Sequence, residues 1–471
     1  MPQILKPQFI FEDVSNGIIQ GVKWNLAPKN SVDLMVNLVS DEVIGEAIVR
    51  KGSTIIGSQV NGATVTLGLF QFISDLGTTK KLITSAGGSI YYYDGGWQLG
   101  KSGDSNTAPA EFETFLDEIV RVNGVDAPVT STTGTSWGAS TKWATASMPT
   151  GKFVKIYKDQ IVVAGVSSSP DTLQISSVPD SSTGNVTWSV SDGSRRITVN
   201  PEDGQNITGL GEVSGLLVVL KDRSMYTWNN RSTQADTSYA VGCDSQKSIV
   251  NCGSALCFYN AKGYWLTTGE QPVKISRKIQ KFIDGRTSTF LVSSYGNEDY
   301  MYSSLGDCTV DGESYTNVVV RYSMNTKEWT VYSYPYQVRC FAFYDDTTEK
   351  IVIGSSESKI IQIESTANDD LGSDITFELK SHELDFGSRG INKQITERAI
   401  GYCLNPFNTI LQVQSDNGNW QTLGVLNKDI ENFLIQENIE GHYFRFRALG
   451  ISQNRTRFQG IELPKITALD Y

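Results

Sequence analysis

The sequence predicts an all-β protein built around a β-propeller, and two observations carry this prediction. Charged residues make up only 19% of the 471 residues, whereas glycine occurs 43 times. This composition is typical of extended β proteins, in which short strands meet at glycine and Asn/Asp turns. Segments with the pattern of β-hairpins also recur along the middle of the chain at the spacing of propeller blades.

Each predicted hairpin joins an apolar run, a polar turn and a second run with aromatic or β-branched residues. The turns fall near positions 87, 168, 222, 262, 312 and 356. Most gaps are about 40 to 55 residues, which fits four-stranded blades, and the doubled first gap leaves room for a degenerate blade within 102–148. We therefore predict five to seven imperfectly repeated blades around an axis. A run of unrelated antiparallel sheets is the alternative.

The propeller is predicted to occupy residues 61–365, between two regions of different pattern. Residues 1–60 follow an extended, non-blade pattern and are expected to form an N-terminal arm that reaches across a neighbouring molecule. The turn-rich segment STANDDLGSD at 365–374 marks a boundary. Beyond it, residues 366–471 have longer strands, which predicts a β-sandwich-like domain or one that completes the periphery of the propeller.

Helical patterns are scarce. Ile275, Ile279 and Phe282 fall on one face of the segment 275–283, with basic residues opposite, which predicts a short connecting helix. The segment 112–122 has apolar residues near helical spacing but fits a strand equally well.

The stretch ITSAGGSIYYYDGGWQLG at 83–100 resembles a phosphate-binding loop only superficially. It has no lysine between the glycine pairs and no helix after them, and a phosphate cradle needs both. The glycine pairs instead predict two successive hairpin turns of one blade. Strand alternation then places Tyr91 and Tyr93 on one face and Tyr92 on the other.

The net charge of −11 argues against a sequence-independent nucleic-acid binder, which needs a basic face. An acidic wall past which nucleic acid slides remains compatible with this charge. The six cysteines show no CxxC spacing and are expected to be buried free thiols, as in a protein assembled in a reducing cytoplasm. The start of the chain lacks a signal-peptide pattern and no apolar run is long enough to cross a membrane, so we expect a soluble chain.

Motifs of catalysis are missing from the sequence. Neither His382 nor His442 lies near a GxSxG or a Cys partner, and no HExxH, P-loop or EF-hand pattern occurs. QSDNGNW at 414–420 approximates the S-x-D-x-G-x-W turn of sialidase-type propellers, but it occurs once and has Gln414 in place of serine. We interpret it as a tight hairpin turn, and we expect no enzymatic activity, no metal and no cofactor.

Three segments are similar to parts of one known protein family. The first is an extended arm with a Val-Asn pair followed by a basic residue and glycine; here these are Val36, Asn37, Arg50 and Gly52.

The second segment is 263–284, a blade strand that ends in glycine before a proline, an isoleucine and a short basic helix. Its matching residues are Gly269, Pro272, Ile275, Ile279 and Ile283. The third comprises 411–424 and 442–463, in which a strand with an Asp-Gly turn precedes an arginine-rich strand and a closing hairpin. Together the three segments resemble the tail hub, or packaged-DNA stabilisation, proteins of short-tailed bacteriophages. Chain length and domain order agree with that family, although 102–200 has no match.

The resemblance implies a virion protein that forms a ring, of six copies, between the portal–adaptor complex and the distal tail. Such a ring would extend the DNA channel and help to retain the packaged genome, and tail nozzles are close relatives. Its partners would be copies of itself, the adaptor or head-completion protein, distal needle, nozzle or fibre proteins, and genomic DNA that passes without specific binding. The predicted assembly contacts are Val36, Asn37, Arg50, Gly52, Ile275, Ile279 and Ile283.

Two other functions stay open from the sequence. One is a carbohydrate-binding or glycan-cleaving propeller, which would require two carboxylates at the axial mouth. The other is a cellular propeller that acts as an interaction platform.

Overall fold

The computed structural model describes residues 3–60, 65–74, 77–230, 236–387 and 390–469. Within these ranges the chain is almost entirely β, with one short α-helix. The N-terminal segment contributes six strands: β1 Gln3–Leu5, β2 Gln8–Ile10, β3 Leu34–Val36, β4 Leu38–Val39, β5 Ala47–Val49 and β6 Thr54–Ile55.

The central part of the chain folds as a series of small antiparallel sheets. Its strands are β7 Thr66–Ile73, β8 Lys80–Ala86, β9 Ser89–Tyr93, β10 Trp97–Ser102, β11 Glu111–Phe115, β12 Glu118–Val122, β13 Val129–Ser131, β14 Phe153–Tyr157, β15 Gln160–Ala164, β16 Thr172–Ile175, β17 Arg195–Thr198, β18 Ile207–Val213, β19 Leu216–Lys221, β20 Met225–Trp228, β21 Asp236–Tyr239, β22 Val250–Cys252, β23 Ala255–Asn260, β24 Gly263–Thr267, β25 Val273–Lys274, β26 Ser294–Gly296, β27 Tyr300–Val310, β28 Glu313–Ser323, β29 Trp329–Ser333, β30 Val338–Asp345, β31 Glu349–Ser355 and β32 Ile360–Ile363.

The remaining elements are the C-terminal strands and a few helical turns. The strands are β33 Asp369–Asp370, β34 Ser373–Lys380, β35 Asn392–Ile395, β36 Arg398–Leu404, β37 Thr409–Ser415, β38 Gln421–Leu426, β39 Ile430–Leu434, β40 Ile439–Gly441, β41 Phe444–Ser452, β42 Arg457–Leu463 and β43 Ile466–Leu469. The helix is α1 Gln280–Asp284, and 3-10 turns lie at Trp24–Leu26, Val190–Asp192, Pro201–Asp203, Gln246–Ser248 and Ser276–Ile279.

The central sheets form a ring of seven blades. Their first strands, β7, β11, β14, β18, β22, β26 and β30, contact one another in this order, and β30 contacts β7. A separate apolar core lies between blades where two sheets face each other, for example between blades 3 and 4 around Leu173 and Leu217. The predicted all-β propeller is therefore confirmed, and its seven blades are the largest number in the predicted range of five to seven.

The degenerate blade predicted within 102–148 is present. It is the three-stranded sheet β11–β12–β13, which stands where the other blades have four strands. The ambiguous segment 112–122 belongs to it as two strands rather than a helix. Leu116 and Asp117 join these strands with φ values of 53° and 62°, a reversal that an α-helix cannot contain.

Blade 1 confirms the interpretation of the glycine-rich stretch. Turns at 87–88 and 94–96 separate β8, β9 and β10. Tyr91 and Tyr93 pack against the core shared with blade 7, whereas Tyr92 packs against the core shared with blade 2. Alternation along one strand thus sends neighbouring aromatic rings into two different blade interfaces.

The N-terminal segment pairs with its own chain and does not extend away as an arm. β1 pairs with β43, β2 and β5 pair with β42, and β3 pairs with β34. β6 pairs with β32 as the outer strand of blade 7. The last blade is therefore completed by residues that precede the predicted start of the propeller at residue 61. The boundary at residue 61 itself lies outside the described residues. Pairing satisfies backbone groups that a free arm would leave to solvent.

The C-terminal region forms two main sheets with one interior. One sheet continues blade 6 directly: β29 pairs in parallel with β3, at Val331 and Val36, and the order then runs β34, β41, β37 and β38. The second sheet has the order β39, β36, β42, β5 and β4. Their apolar side chains belong to the same core as those between blades 5 and 6. The predicted sandwich-like domain is thus continuous with the propeller.

A buried arginine lies where the N-terminal segment, blade 6 and the C-terminal region meet. Arg50 is 1% exposed and forms a two-point ion pair with Asp370, at 2.5 and 3.1 Å. It also donates to Asn37 Oδ1 at 2.9 Å and to the carbonyl oxygens of Lys51 and Ser333. All five N–H donors of the guanidinium are therefore used, which is what makes a buried charge tolerable.

Asn37 completes this junction through its backbone and its amide. Its φ of 57° lies in the left-handed region, which asparagine tolerates better than most residues. The amide nitrogen donates to the Thr376 carbonyl oxygen at 2.7 Å, and its oxygen accepts the Ser333 N–H at 2.8 Å. One side chain therefore bridges blade 6 and β34.

Gly52 allows the closest approach of two segments at the same junction. A Cβ at this position would lie 2.0 Å from the carbonyl oxygen of Asp369. The Gly52 N–H donates to the Ala367 carbonyl at 2.8 Å. A side chain here would separate the N-terminal segment from the segment that carries Asp370.

We predict that Arg50→Met lowers the free energy of unfolding by about 3–5 kcal/mol, because it leaves the Asp370 carboxylate buried without a partner. The measurement is urea unfolding followed by tryptophan fluorescence. Adding Asp370→Leu to Arg50→Met is expected to recover part of the loss, since no buried charge then remains.

The matched control is Lys359→Met, which breaks an exposed ion pair with Glu357 and is expected to cost less than about 1 kcal/mol. Equal small losses for Arg50→Met and Lys359→Met would contradict the role of the junction.

Candidate functional site: the charged channel of the propeller

The first strands of all seven blades enclose a central cavity of about 210 Å³. Alternation along each first strand points every second side chain toward the axis. The acidic and basic side chains that line the cavity are Glu111 and Glu113 of β11, Lys155 of β14, Glu212 of β18 and Lys247, which precedes β22. We call this cavity the channel.

An ion pair joins two blades across the channel wall. Lys155 Nζ lies 3.1 Å from Glu113 Oε2. Burial lowers the pKa of Lys155, but the charge and hydrogen bond of Glu113 and, to a smaller extent, Glu212 and Glu111 raise it, and the net shift is upward. Lys155 therefore stays charged at neutral pH, and its contact with Glu113 ties blade 2 to blade 3.

Glu111 lies two residues from Glu113 on the same strand and has a different ionisation behaviour. Burial in the channel raises the pKa of Glu111 to about 8; Lys247 opposes this shift and Glu113 adds to it. Glu111 is therefore mostly protonated at neutral pH, whereas Glu113 is held in the ion pair with Lys155. A carboxyl group with a raised pKa beside an ion pair is a feature of acid–base sites, and also of structural charge networks.

The start of the first strands forms one mouth of the channel. Lys247 and Arg339 line a cavity of about 240 Å³ at this mouth, together with Thr66. Burial lowers the pKa of both Lys247 and Arg339. Next to them, burial raises the pKa of the Cys340 thiol. The mouth thus carries two partly desolvated cations in a protein whose net charge is −11.

The predicted assembly residues lie inside the chain. Val36, Asn37 and Arg50 are 5%, 2% and 1% exposed, and Gly52 is buried beside them. This is a correction of their predicted role: side chains enclosed by their own chain are not available to another copy, and they act as the junction described above.

The other three predicted residues lie around the short helix. The predicted helix 275–283 is present as the 3-10 turn Ser276–Ile279 followed by α1. Ile279 and Ile283 are buried in the core that also contains Val36, and Ile275 packs against it. Six of the seven residues are therefore buried within the chain, and Ile275 is partly buried against the same core.

QSDNGNW forms the turn between β37 and β38 in the C-terminal region, away from the channel. Asp416 accepts the backbone N–H groups of His442 and Tyr443 at 2.9 and 3.1 Å. Gln414 donates to the Gly418 carbonyl oxygen at 2.6 Å. These bonds hold a turn, in agreement with the structural interpretation.

All six cysteines are buried and unpaired, as predicted. Burial raises the pKa of Cys243 to about 11 and that of Cys308 to about 12. Within the described ranges, no cluster of three or more His, Cys, Asp or Glu side chains is placed to hold a metal ion. In the same ranges, no helix is long and apolar enough to span a membrane.

The channel residues were not found from the sequence. The signal was present in EFETF at 111–115, where Glu111 and Glu113 alternate with Phe112. In a β-strand this alternation points both carboxyl groups to one side and the aromatic ring to the other. It was obscured because the same residues also fit helical spacing.

We predict that Glu111→Gln weakens the pH dependence of stability. The folded chain holds the Glu111 proton up to about pH 8, whereas the ordinary pKa is 4.5. The folded state thus binds more protons between these values, so this group makes the free energy of unfolding fall as pH rises, by at most about 1.4 kcal/mol per pH unit.

Urea midpoints at several pH values between 5 and 9 measure this effect. The wild type is expected to lose stability relative to Glu111→Gln as pH rises through this window, while the exposed control Glu298→Gln follows the wild type. Parallel curves for all three proteins would exclude a raised pKa at Glu111.

Comparisons with known proteins give no family. No protein-family model matches the chain, and no curated protein matches it significantly. Among solved structures, a chain of the mitotic checkpoint complex is 10% identical with a TM-score of 0.43, covering 67% of this chain and 93% of its own. KlHsv2 with one loop replaced by a Gly-Ser linker is 9% identical with a TM-score of 0.34, covering 67% and 92%.

A third similar structure is PorZ, a surface component of the type IX secretion system of Porphyromonas gingivalis. It is 11% identical with a TM-score of 0.41, and the match covers 79% of this chain and 46% of PorZ. Likenesses at these identities and scores carry no argument about function. What the structure itself establishes is an all-β, propeller-like fold.

Proposed function

We propose that this chain is a structural protein of a bacteriophage tail, which assembles with copies of itself into a ring below the portal–adaptor complex. The ring extends the DNA channel and helps to retain the packaged genome. The sequence resemblance motivates this proposal, and the observation that carries it further is an exposed apolar sheet face in the C-terminal region.

This surface, the β39 face, is the outer side of the sheet β39–β36–β42 with β2, and comprises Phe9, Ile400, Tyr402, Ile430 and Leu434. Cross-strand pairing places these residues on one side of the sheet, where Arg398, Asn432 and Glu462 also lie. Ile430 lies opposite Tyr402, and Leu434, four residues farther along β39, lies opposite Arg398. Phe9, Ile430 and Leu434 are 53%, 59% and 82% exposed.

The β39 face is unusual because β39 is also a sheet edge. Edge strands of monomeric proteins are normally protected by charge or by cover, whereas β39 exposes two large aliphatic side chains. Contiguous exposed apolar surface is typical of contact sites between proteins. In a ring, each copy would place this face against a different surface of the next copy, and the contacts would close by rotation.

The rigid link between domains supports the same proposal. β3 joins blade 6 to one C-terminal sheet, β6 closes blade 7, and β5 pairs with β42 in the sheet that carries the face. The N-terminal segment therefore links the face to the propeller. A subunit with fixed faces is suited to a ring of defined copy number, for which we propose six. The ring's neighbours would be the adaptor or head-completion protein and the distal needle, nozzle or fibre proteins.

Charge and thiol chemistry are compatible with this setting. A net charge of −11 would let genomic DNA pass the ring without specific binding, because an acidic wall repels phosphates. The buried free thiols suit synthesis in the bacterial cytoplasm before incorporation into the virion.

Size-exclusion chromatography with light scattering and negative-stain imaging test the ring directly, with and without an adaptor ring. The wild type is expected to form a ring-shaped oligomer in at least one of these conditions. Ile430→Lys with Leu434→Lys is expected to abolish it, because a charge at each contact would have to be desolvated.

The matched control is Gln98→Lys with Leu99→Lys, which adds the same two charges on the exposed outer strand of blade 1. It is expected to leave the ring intact. A wild type that stays monomeric in both conditions, or a ring that survives the double substitution, would contradict the proposal.

A glycan-cleaving propeller is the second candidate, and Glu111 is the observation that favours it. Its pKa of about 8 next to Glu113 provides a proton donor beside a carboxylate, the pair that glycosidases require. Against it, Glu113 is engaged by Lys155, and a cavity of about 210 Å³ is smaller than typical ligand pockets.

This candidate predicts that the purified chain releases reducing ends from a bacterial surface polysaccharide. Glu111→Gln should abolish that activity and Glu298→Gln should retain it. Failure of the wild type on a panel of such polysaccharides, or full activity of Glu111→Gln, would eliminate this function.

A further inference from the structure

A basic depression with an apolar floor lies beside β25, the outer strand of blade 5, and has a volume of about 340 Å³. Cross-strand pairing places Lys274 directly opposite Trp265, whose indole is half-buried, and Val273 is 60% exposed. We call this surface the β25 depression. Its lining residues are Trp265, Gln271, Pro272, Val273, Lys274 and Arg277.

The charge around the β25 depression is opposite in sign to that of the whole chain. Residues 262–281 contain five basic residues and one acidic residue, whereas the net charge of the chain is −11. Lys262 adjoins Lys274, because a Cβ at Gly263 would lie 3.3 Å from Lys274 Cε. In the described ranges, no carboxylate lies at ion-pairing distance from Lys262, Lys274 or Arg277. These three positive charges are therefore not compensated by ion pairs within the subunit.

The edge of the β39 face carries the complementary charge. Residues 428–440, which contain β39, have four acidic residues and one basic residue. Asp429 and Glu437 flank the strand and are exposed, and in the part of the chain that the structure describes neither has a basic side chain at ion-pairing distance. The exposed Ile430 and Leu434 lie between them. The β39 face thus combines apolar side chains with a net acidic edge.

The sheet that joins blade 6 to the C-terminal region separates the two surfaces. On one side of it, the Trp329 indole donates to the Ile275 carbonyl oxygen at 3.1 Å, so the segment that follows β25 lies against this side. Register across β3 places Val331 and Glu378 on the side of Trp329. Leu379, the next residue, points to the other side, into the core shared with the sheet that contains β39. The β39 face is the outer side of that second sheet, so the two surfaces face away from each other.

We propose that the β25 depression of each copy receives the β39 face of the next copy in the ring. This inference rests on the proposed ring and names the surface that its β39 face contacts. Two different surfaces on opposite sides of a subunit give head-to-tail contacts that close by rotation. In each contact, Leu434 would enter the space beside Val273, and the acidic edge would lie against the basic residues. An apolar centre with complementary charges around it provides packing and also fixes orientation.

Charge reversal tests this pairing by light scattering, under the conditions in which the wild type forms its ring. Lys274→Glu with Arg277→Glu is expected to abolish the ring, because two acidic surfaces would then face each other. Asp429→Lys with Glu437→Lys is expected to abolish it as well, because two basic surfaces would meet.

Combining both reversals in one chain is expected to restore the ring, because the charges in each contact are then exchanged and remain complementary. The matched control is Arg196→Glu with Arg223→Glu, which makes the same change in net charge at exposed positions of blades 3 and 4. This control is expected to keep the ring.

Cysteine cross-linking provides a second readout that leaves these charges unchanged. All six native cysteines are buried, so copies with Val273→Cys can be mixed with copies with Leu434→Cys and oxidised. The mixture is expected to give a covalent dimer on a non-reducing gel. Leu99→Cys mixed with Leu434→Cys is the control and is expected to give none, because Leu99 lies on the outer strand of blade 1.

The failure of this inference differs from the failure of the proposed ring. A ring that persists in either reversed variant, a combined variant that does not regain it, or a cysteine mixture without a covalent dimer would overturn the pairing while the ring itself stands. A wild type that forms no ring would overturn both.

Discussion

The buried pair of Arg50 and Asp370 is the interaction on which the rest of the architecture depends. Removing two charges from water is unfavourable unless every donor and acceptor finds a partner, and here all five guanidinium donors do. The partners come from the N-terminal segment, blade 6 and the start of the C-terminal region. The pair can therefore form only when these three parts are in place together, so it specifies how they are joined.

This constraint explains why the two structural regions share one sheet and one core. With Arg50 fixed, β3 is placed between β29 and β34, and β6 is placed on the outer edge of blade 7. Blade 7 then has its fourth strand, and the ring of first strands that encloses the channel is complete. The charges of the channel and its mouth depend on that closure, since Lys247 and Arg339 belong to different blades.

What could be predicted from the sequence was mostly local. Alternation placed Tyr91 and Tyr92 on opposite faces, and glycine turns located the strands of blade 1, because neighbouring residues determine both. The destination of the N-terminal segment was not predicted: Val36 pairs with Val331, and sequence periodicity carries no information on contacts at that separation. Arg50 was singled out by resemblance, but whether it faced another copy or the interior required the fold.

The channel residues also could not be assigned from the sequence. The alternation of Glu111 and Glu113 with Phe112 indicates that both carboxyl groups lie on one side of a strand, but it does not indicate whether that side faces the axis of the ring. Gln246 illustrates how such ring contacts arise: its side-chain amide bonds both the N–H and the carbonyl oxygen of Leu210 in the preceding blade. Neither partner has a sequence signal for the other. Site residues that are assembled by ring closure therefore lie beyond what the sequence alone predicts.

Differential scanning calorimetry tests most directly whether propeller and C-terminal region form one unit locked at Arg50. The account predicts a single transition for the wild type, with equal calorimetric and van't Hoff enthalpies, and a split into two transitions for Arg50→Met. Two separate transitions in the wild type would contradict it.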